Sequence, residues 1–205
     1  MANRVLGKTA TGRKSVRRFS WLRLPEPARL EPAVKRLQDE CRARLGFVRN
    51  FLKLPFGPGR LALYQGYMDR LMRGADGHLP PLERELLALV TSVENRCEVC
   101  ILSHAAALKK YGMDRFLVDT IALAWRRAEL SPRQRALAEF ASKLTLHPAD
   151  VDATLMGGLR AAGLREEEIF EAIQVVAIYN SNNRINNATG MQPNDEARPG
   201  YRPAP

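Results

Sequence analysis

The chain has 205 residues, 45% apolar, 26% charged and 7% aromatic, enough for one domain with a substantial core. Its longest run without Asp, Glu, Lys or Arg, Ala172 to Asn183, falls far short of the roughly 20 apolar residues that span a bilayer, which excludes a membrane-spanning helix. Of the formal charge of +10, Arg4, Lys8, Arg13, Lys14, Arg17 and Arg18 supply +6 within residues 1–20, so the basic character belongs mainly to the N-terminus and gives no sign of a nucleic-acid-binding face.

Residues 1–20 contain no apolar run of secretory type and read as a disordered, solvated tail. After it, Pro32 suits a first helical turn, and Val34, Leu37, Cys41 and Leu45 recur at helical spacing until Gly46. Beyond the breaker PFGPG, Leu61, Tyr64, Met68, Leu71 and Met72 form a second stripe, ended by GADGHLPP. Pro80 and Pro81 open a third helix, with Leu82, Leu86, Leu89, Val90 and Val93 on its inner side. A fourth begins near Cys97 and stops at Gly112, with Lys109 and Lys110 complementing the helix dipole in its last turn.

A fifth helix is expected over Arg115 to Arg127. The sixth starts with a capping box, Ser131-Pro132-Arg133-Gln134, and ends at His147-Pro148. A seventh follows Asp150 and stops at Gly163, and an eighth begins with Glu166, Glu167 and Glu168 and continues through Ile169, Ile173 and Val176. No stretch alternates with period two, so the expected fold is an all-α bundle of about eight helices. Two stretches echo each other: ALKKYGM at 107–113 and GLRAAGL at 158–164 each end a helix, and their glycines lie 51 positions apart. This suggests two related helical units, of which only the first carries a Cys–Cys–His set.

That set is Cys97-Glu98-Val99-Cys100-Ile101-Leu102-Ser103-His104. On a helix, spacings of three and four place Cys97, Cys100 and His104 on one face. The two sulfurs can bond, the N-terminal turn favours a thiolate, and His104, one turn below Cys100, can take or return its proton. Cys97, at the helix start, is expected to be the more accessible thiol. If the preceding helix turns back near Asn95, Glu85 lies level with His104 and can orient the imidazole.

Other readings exist for each residue. Cys97, Cys100, His104 and Glu85 could together bind zinc in a structural module, and buried cysteines could simply pack. A thioredoxin fold needs strands around its CxxC, which this sequence does not show. His78 and His147 read as loop or surface residues, Cys41 as core, and Tyr64, Tyr67, Trp125 and the methionines as packing. Asn182, Asn183 and Arg184 suit a polar subunit contact or a capping role, with Arg184 alternatively holding an anionic substrate. Three cysteines are too few for a disulfide scaffold and fit the reducing cytosol.

The stretch 79–112, LPPLERELLALVTSVENRCEVCILSHAAALKKYG, resembles the core of the alkyl hydroperoxidase D and carboxymuconolactone decarboxylase superfamily. Its redox members carry Glu, eleven residues, Cys-x-x-Cys, three residues, His, a spacing that Glu85, Cys97, Cys100 and His104 match without a gap. The segments at 45–72 and 179–190 extend the similarity to the peroxidase-related branch, which leaves the basic N-terminus and a Pro-rich tail, 191–205, outside a helical domain over 21–190. The resemblance implies a homo-oligomer, free of cofactor and metal, whose dithiol reduces a small-molecule peroxide through a Cys97–Cys100 disulfide and is re-reduced by a dithiol or a protein thiol. It also implies roles: Cys100 the attacking thiolate activated by His104, Cys97 the resolving thiol, Glu85 the residue that orients the relay. Val99 stands where redox relatives often have His or Tyr. A cofactor-free decarboxylase or lactone-ring enzyme, using His104 and Glu85 alone, is the alternative within the superfamily.

Overall fold

The computed structural model describes residues 19–24 and 30–198. Among them are α1 (Pro32–Leu45), α2 (Pro58–Arg73), α3 (Pro81–Glu94), α4 (Glu98–Lys110), α5 (Arg115–Ala124), α6 (Pro132–Leu146), α7 (Ala153–Ala161) and α8 (Glu166–Ala188), with short 3-10 turns and no strand. The all-α expectation holds, and the local signals act as read. Pro32, Pro81 and Pro132 occupy first turns. The Ser131 Oγ accepts from the Gln134 amide at 3.2 Å, while the Ser131 amide donates back to Gln134 Oε1 at 3.0 Å. The fifth helix is shorter than expected, because the chain tightens into a 3-10 turn at Trp125–Arg127. There the buried Trp125 indole donates to Glu94 Oε1 at 2.9 Å.

Helix α3 is the axis of the molecule. Its residues Glu83 to Ser92 are all buried, and α4, α6 and α8 pack around it. Leu86, Leu87, Leu89 and Val90 meet Leu108, Leu137, Phe140, Val175 and Val176 in the main core. A smaller core between α1 and α2 takes Val34, Cys41 and Leu61, so Cys41 is a packing residue. Three consecutive charges begin α3, and each has its partner on another helix. Glu83 accepts from Arg133 of α6 at 2.8 and 3.0 Å, Arg84 pairs with Glu171 of α8 at 2.5 Å, and Glu85 turns to α4. Arg133 also reaches Glu168 at 2.8 Å, tying α6 to α8.

The domain limits expected at residues 20 and 190 do not coincide with the packing. The Ser20 hydroxyl and the Trp21 amide donate to Thr189 O, and the Gln192 amide donates to Phe19 O, each at 2.8 Å. Met191 and Pro193 are buried, and the Asn194 side chain accepts from the Asn50 amide at 2.8 Å while donating to Val48 O at 3.0 Å. Residues 191–198 therefore pack with the domain, since backbone groups of these segments pair where the segments meet. Residues 1–18, read as a tail, lie outside the described residues.

The two echoing segments end their helices alike. Gly112 (φ 89°) and Gly163 (φ 84°) both follow the last helical turn, with Met113 N–H bonding Leu108 O and Leu164 N–H bonding Leu159 O at 3.1 Å. This is the six-to-one closure that a left-handed residue allows. Nothing lies within 4 Å of a Cβ built at either glycine, so backbone strain alone decides a substitution. Gly112→Ala and Gly163→Ala are each expected to cost about 1 kcal/mol, measured by urea unfolding; an unchanged midpoint would show that the left-handed turn is not required.

Candidate active site

The site is set by the turn between α3 and α4. Arg96, at φ 52°, takes a left-handed conformation uncommon for a side chain of this kind, and Cys97 becomes the N-cap of α4. Asparagines of α8 hold this turn. The Asn95 side chain donates to Asn180 Oδ1 at 2.9 Å and to Asn183 Oδ1 at 3.1 Å, and Asn187 donates to Asn95 O at 2.9 Å. The reversal carries His104 alongside Glu85, as the antiparallel register predicts. Glu85 Oε2 accepts from His104 Nδ1 at 2.6 Å, with both side chains buried. That bond places the ring proton on Nδ1 and leaves Nε2 as the basic nitrogen of the neutral imidazole. The ring of buried Tyr179 packs edge-on against His104 with centroids 4.3 Å apart.

Cys97 and Cys100 are unbridged, and the Asn186 amide donates to Cys100 Sγ at 3.2 Å and to Cys97 Sγ at 3.8 Å. The Cys100 S–H hydrogen bond holds the Cys97 thiol at about 6, against the opposing effect of burial; the Cys100 backbone amide, Asn186 and Asn183 act with it. Cys100 is pushed up, because it is the donor to Cys97, is buried, and lies beside that developing charge. The pair thus shares one proton near neutral pH.

Access runs the other way. Cys100 is 6% exposed and lines a cavity of about 370 Å³, whereas Cys97 is 0% exposed and lies behind it. The expectation that Cys97 is the more accessible thiol is corrected: Cys100, in the first turn of α4, lines the cavity, while the N-cap Cys97 does not. His104 shares the cavity wall with Cys100, Phe51, Met68, Asn182 and Asn186. Among the described residues no hydrogen bond joins the imidazole to either sulfur, so a proton passing between them needs a water or substrate atom in the cavity. The zinc reading requires all four side chains to converge on one point. Instead the carboxylate and the imidazole face each other, and among the described residues no group of three or more His, Cys, Asp or Glu side chains is arranged to hold a metal ion.

The remaining expectations divide. His78 and His147 are exposed. Tyr64 packs with Phe51 and Phe56, and its hydroxyl donates to Asn182 Oδ1 at 2.8 Å. Asn182 and Asn183 are buried beside the site, Asn183 donating to Ser92 Oγ at 3.2 Å. Arg184 is exposed and folds back on Asn180, its Nη1 at 2.9 Å from the carbonyl and 2.7 Å from Oδ1, so it does not face the cavity. Sequence reasoning missed Asn186 and the cavity residues Arg49, Gln65 and Asn194. Asn186 lies three and four positions beyond Asn183 and Asn182, a helical polar stripe that the sequence already contained.

A buried glutamate–histidine couple thus lies beside a CxxC dithiol on a helical bundle, as the resemblance to alkyl hydroperoxidase D-like proteins implies. The model of the carboxymuconolactone decarboxylase family matches the chain twice, over residues 58–122 and 114–191. The chain belongs to that family. It is similar, at 31% identity and a TM-score of 0.82, to the structure of an uncharacterized peroxidase-related protein from Silicibacter sp. TM1040, over 95% of this chain and 100% of that one. A peroxidase-related protein from Ralstonia eutropha JMP134 with an alkylhydroperoxidase core gives 31% identity and a TM-score of 0.81, over 88% of this chain and 95% of that one. The debrominase Bmp8, solved with 2,3,4-tribromopyrrole, shares the fold at 21% identity and a TM-score of 0.68, over 81% and 88%. No curated protein matches the chain.

The two family matches fall on the two echoing units. A shift of 51 positions carries Glu85, Cys97, Cys100 and His104 to Ala136, Pro148, Val151 and Leu155, none of which can transfer a proton or an electron. In the reduced protein, thiolate ultraviolet absorbance is expected to rise in two separated steps, the first near pH 6 and the second far above it. Asn186→Ala, which removes an amide donor from the thiolate, moves the first step upward. A single step in the ordinary thiol range would show that the sulfurs titrate independently.

Proposed function

We propose that the protein is a thiol-dependent peroxidase that also reduces disulfides, cycling between the Cys97/Cys100 dithiol and a Cys97–Cys100 disulfide. The observation that carries this reading is a CxxC pair held by one amide, one sulfur of which lines a cavity whose wall also holds the Glu85-oriented imidazole. In the reductive step the Cys100 proton crosses the cavity to His104 Nε2. Cys100 Sγ then attacks the terminal peroxide oxygen, the O–O bond breaks, and the alkoxide leaves as the alcohol with a proton from His104. The Cys97 thiolate attacks the resulting Cys100 sulfenic acid and forms the disulfide, and the departing hydroxide takes a proton from solvent to become water. Two electrons have passed from two thiols to one peroxide, and an external dithiol or protein thiol restores the pair.

Cys97 is suited to the resolving role by its low value and its position behind Cys100, and Cys100 to the first attack by access. Glu85 acts through His104, as a buried carboxylate does in a catalytic triad. The decarboxylase alternative leaves the two sulfurs, and the amide that holds them, without a task. In the full proposal the enzyme works in the reducing cytosol and associates with copies of itself, the exposed Leu63, Phe116, Leu123 and Phe170 being candidates for the covered surface.

One equivalent of hydrogen peroxide is expected to remove two free thiols, with the mass change of an internal disulfide and recovery by a dithiol. Cys100→Ser abolishes the reaction, and Cys97→Ser stops after one turnover as a sulfenic acid; full turnover by either variant would sink the dithiol cycle. His104→Ala is expected to slow peroxide reduction by roughly 100-fold or more. It also removes the imidazole's limb from the pH–rate profile. A profile unchanged from wild type would show that the imidazole takes no part in proton transfer.

A further inference from the structure

Arg49 stands in the cavity wall with an incomplete set of partners. Its Nη2 donates to Gln65 Oε1 at 3.0 Å; its Nε is shut off from solvent and has no acceptor, and no carboxylate lies in ion-pair range among the described residues. Asp69, in the adjoining hollow, is engaged by Arg73. The cavity's other strongly charged wall residue, Glu196, is exposed on the closing turn and lies in the field of Lys53. A guanidinium left without an anion in a partly closed site is costly to maintain.

The position of Arg49 is nevertheless firmly fixed. Asn194 binds the backbone on both sides of it, at Val48 O and Asn50 N–H, and the Asn50 side chain donates to Gln192 O at 3.0 Å. Gln65, which orients the guanidinium, is itself buried. The cavity wall that holds Arg49 and Cys100 also presents Leu45, Phe47, Phe51, Met68 and Val99. The volume of about 370 Å³ suits a small amphipathic molecule.

We propose that the substrate is a carboxylate-bearing organic hydroperoxide: Arg49 takes the carboxylate, the apolar wall takes the carbon chain, and the peroxide oxygen meets Cys100. Arg49 is here a specificity residue, and the substrate class rests on the dithiol peroxidase reading above. A carboxylate is the natural complement of a guanidinium, since it accepts two parallel N–H bonds. The overall reaction balances: two thiols and R–OOH give one disulfide, R–OH and water.

The test uses the reduced full-length protein and two probes of equal chain length, a hydroperoxide of octanoic acid and its methyl ester. Wild type is expected to prefer the acid by about 10- to 100-fold in kcat/KM. In Arg49→Gln the acid-to-ester ratio falls to near one, and Arg49→Lys, which keeps the charge but not the fork, retains part of it. Melting temperatures confirm that the variants are folded. Plain octanoate, which cannot react, is titrated calorimetrically in parallel. It is expected to bind wild type and to lose at least tenfold in affinity in Arg49→Gln. An acid-to-ester ratio near one in wild type, with both probes consumed, would overturn the specificity role and leave the peroxidase reading standing. Thiols untouched by either probe would overturn the hydroperoxide class together with that reading. Octanoate binding alone would then report whether Arg49 seats a carboxylate.

Discussion

Burying the first turn of α3 is the constraint on which the rest of this structure depends. Glu83, Arg84 and Glu85 follow one another on a helix with no solvent-facing side along this stretch, and a buried charge without a partner is strongly destabilising. Each of the three points in a different direction, so three different helices have to deliver a counter-group. Arg133 comes from α6, Glu171 from α8 and His104 from α4. Two of these pairs orient the bundle. The third uses the same logic to hold an imidazole, so the Glu85–His104 couple is also one of the fold's own tie points.

The peptide geometry at the head of α4 then separates two properties that are often assigned to one sulfur. Capping position and neighbouring donors favour negative charge on Cys97, while projection from the first turn gives Cys100 the cavity. Asn186 contributes to both sulfurs and so does not force the choice.

Much of the fold was legible in the sequence because helix limits are local. The Ser131–Gln134 box, the prolines of first turns and the glycines at 46, 112 and 163 act within a few residues of themselves. The register of Glu85 against His104 was legible for the same reason: a tight turn at Asn95 leaves one antiparallel alignment. What the sequence did not disclose depends on closure over long distances. Asn186 reaches sulfurs 86 and 89 positions earlier, and Arg49 owes its place to Asn194, whose bonds span more than 140 positions. A proline-containing segment such as 191–198 carries no periodicity, so nothing local distinguishes a solvated tail from a wall of the site. The order of Cys97 and Cys100 in exposure likewise depends on which way an N-cap side chain turns, which composition does not encode.

The C-terminal segment has a consequence for how the protein is made. Pro193, Asn194, Glu196 and Ala197 complete the cavity wall, and α8 supplies the amide that covers both thiols. All of them leave the ribosome long after the dithiol does. During that interval the CxxC lies at the head of a helix whose shielding layer has not yet been synthesised, open to metal ions, oxidants and other thiols. The pair is thus covered by residues that the chain acquires last.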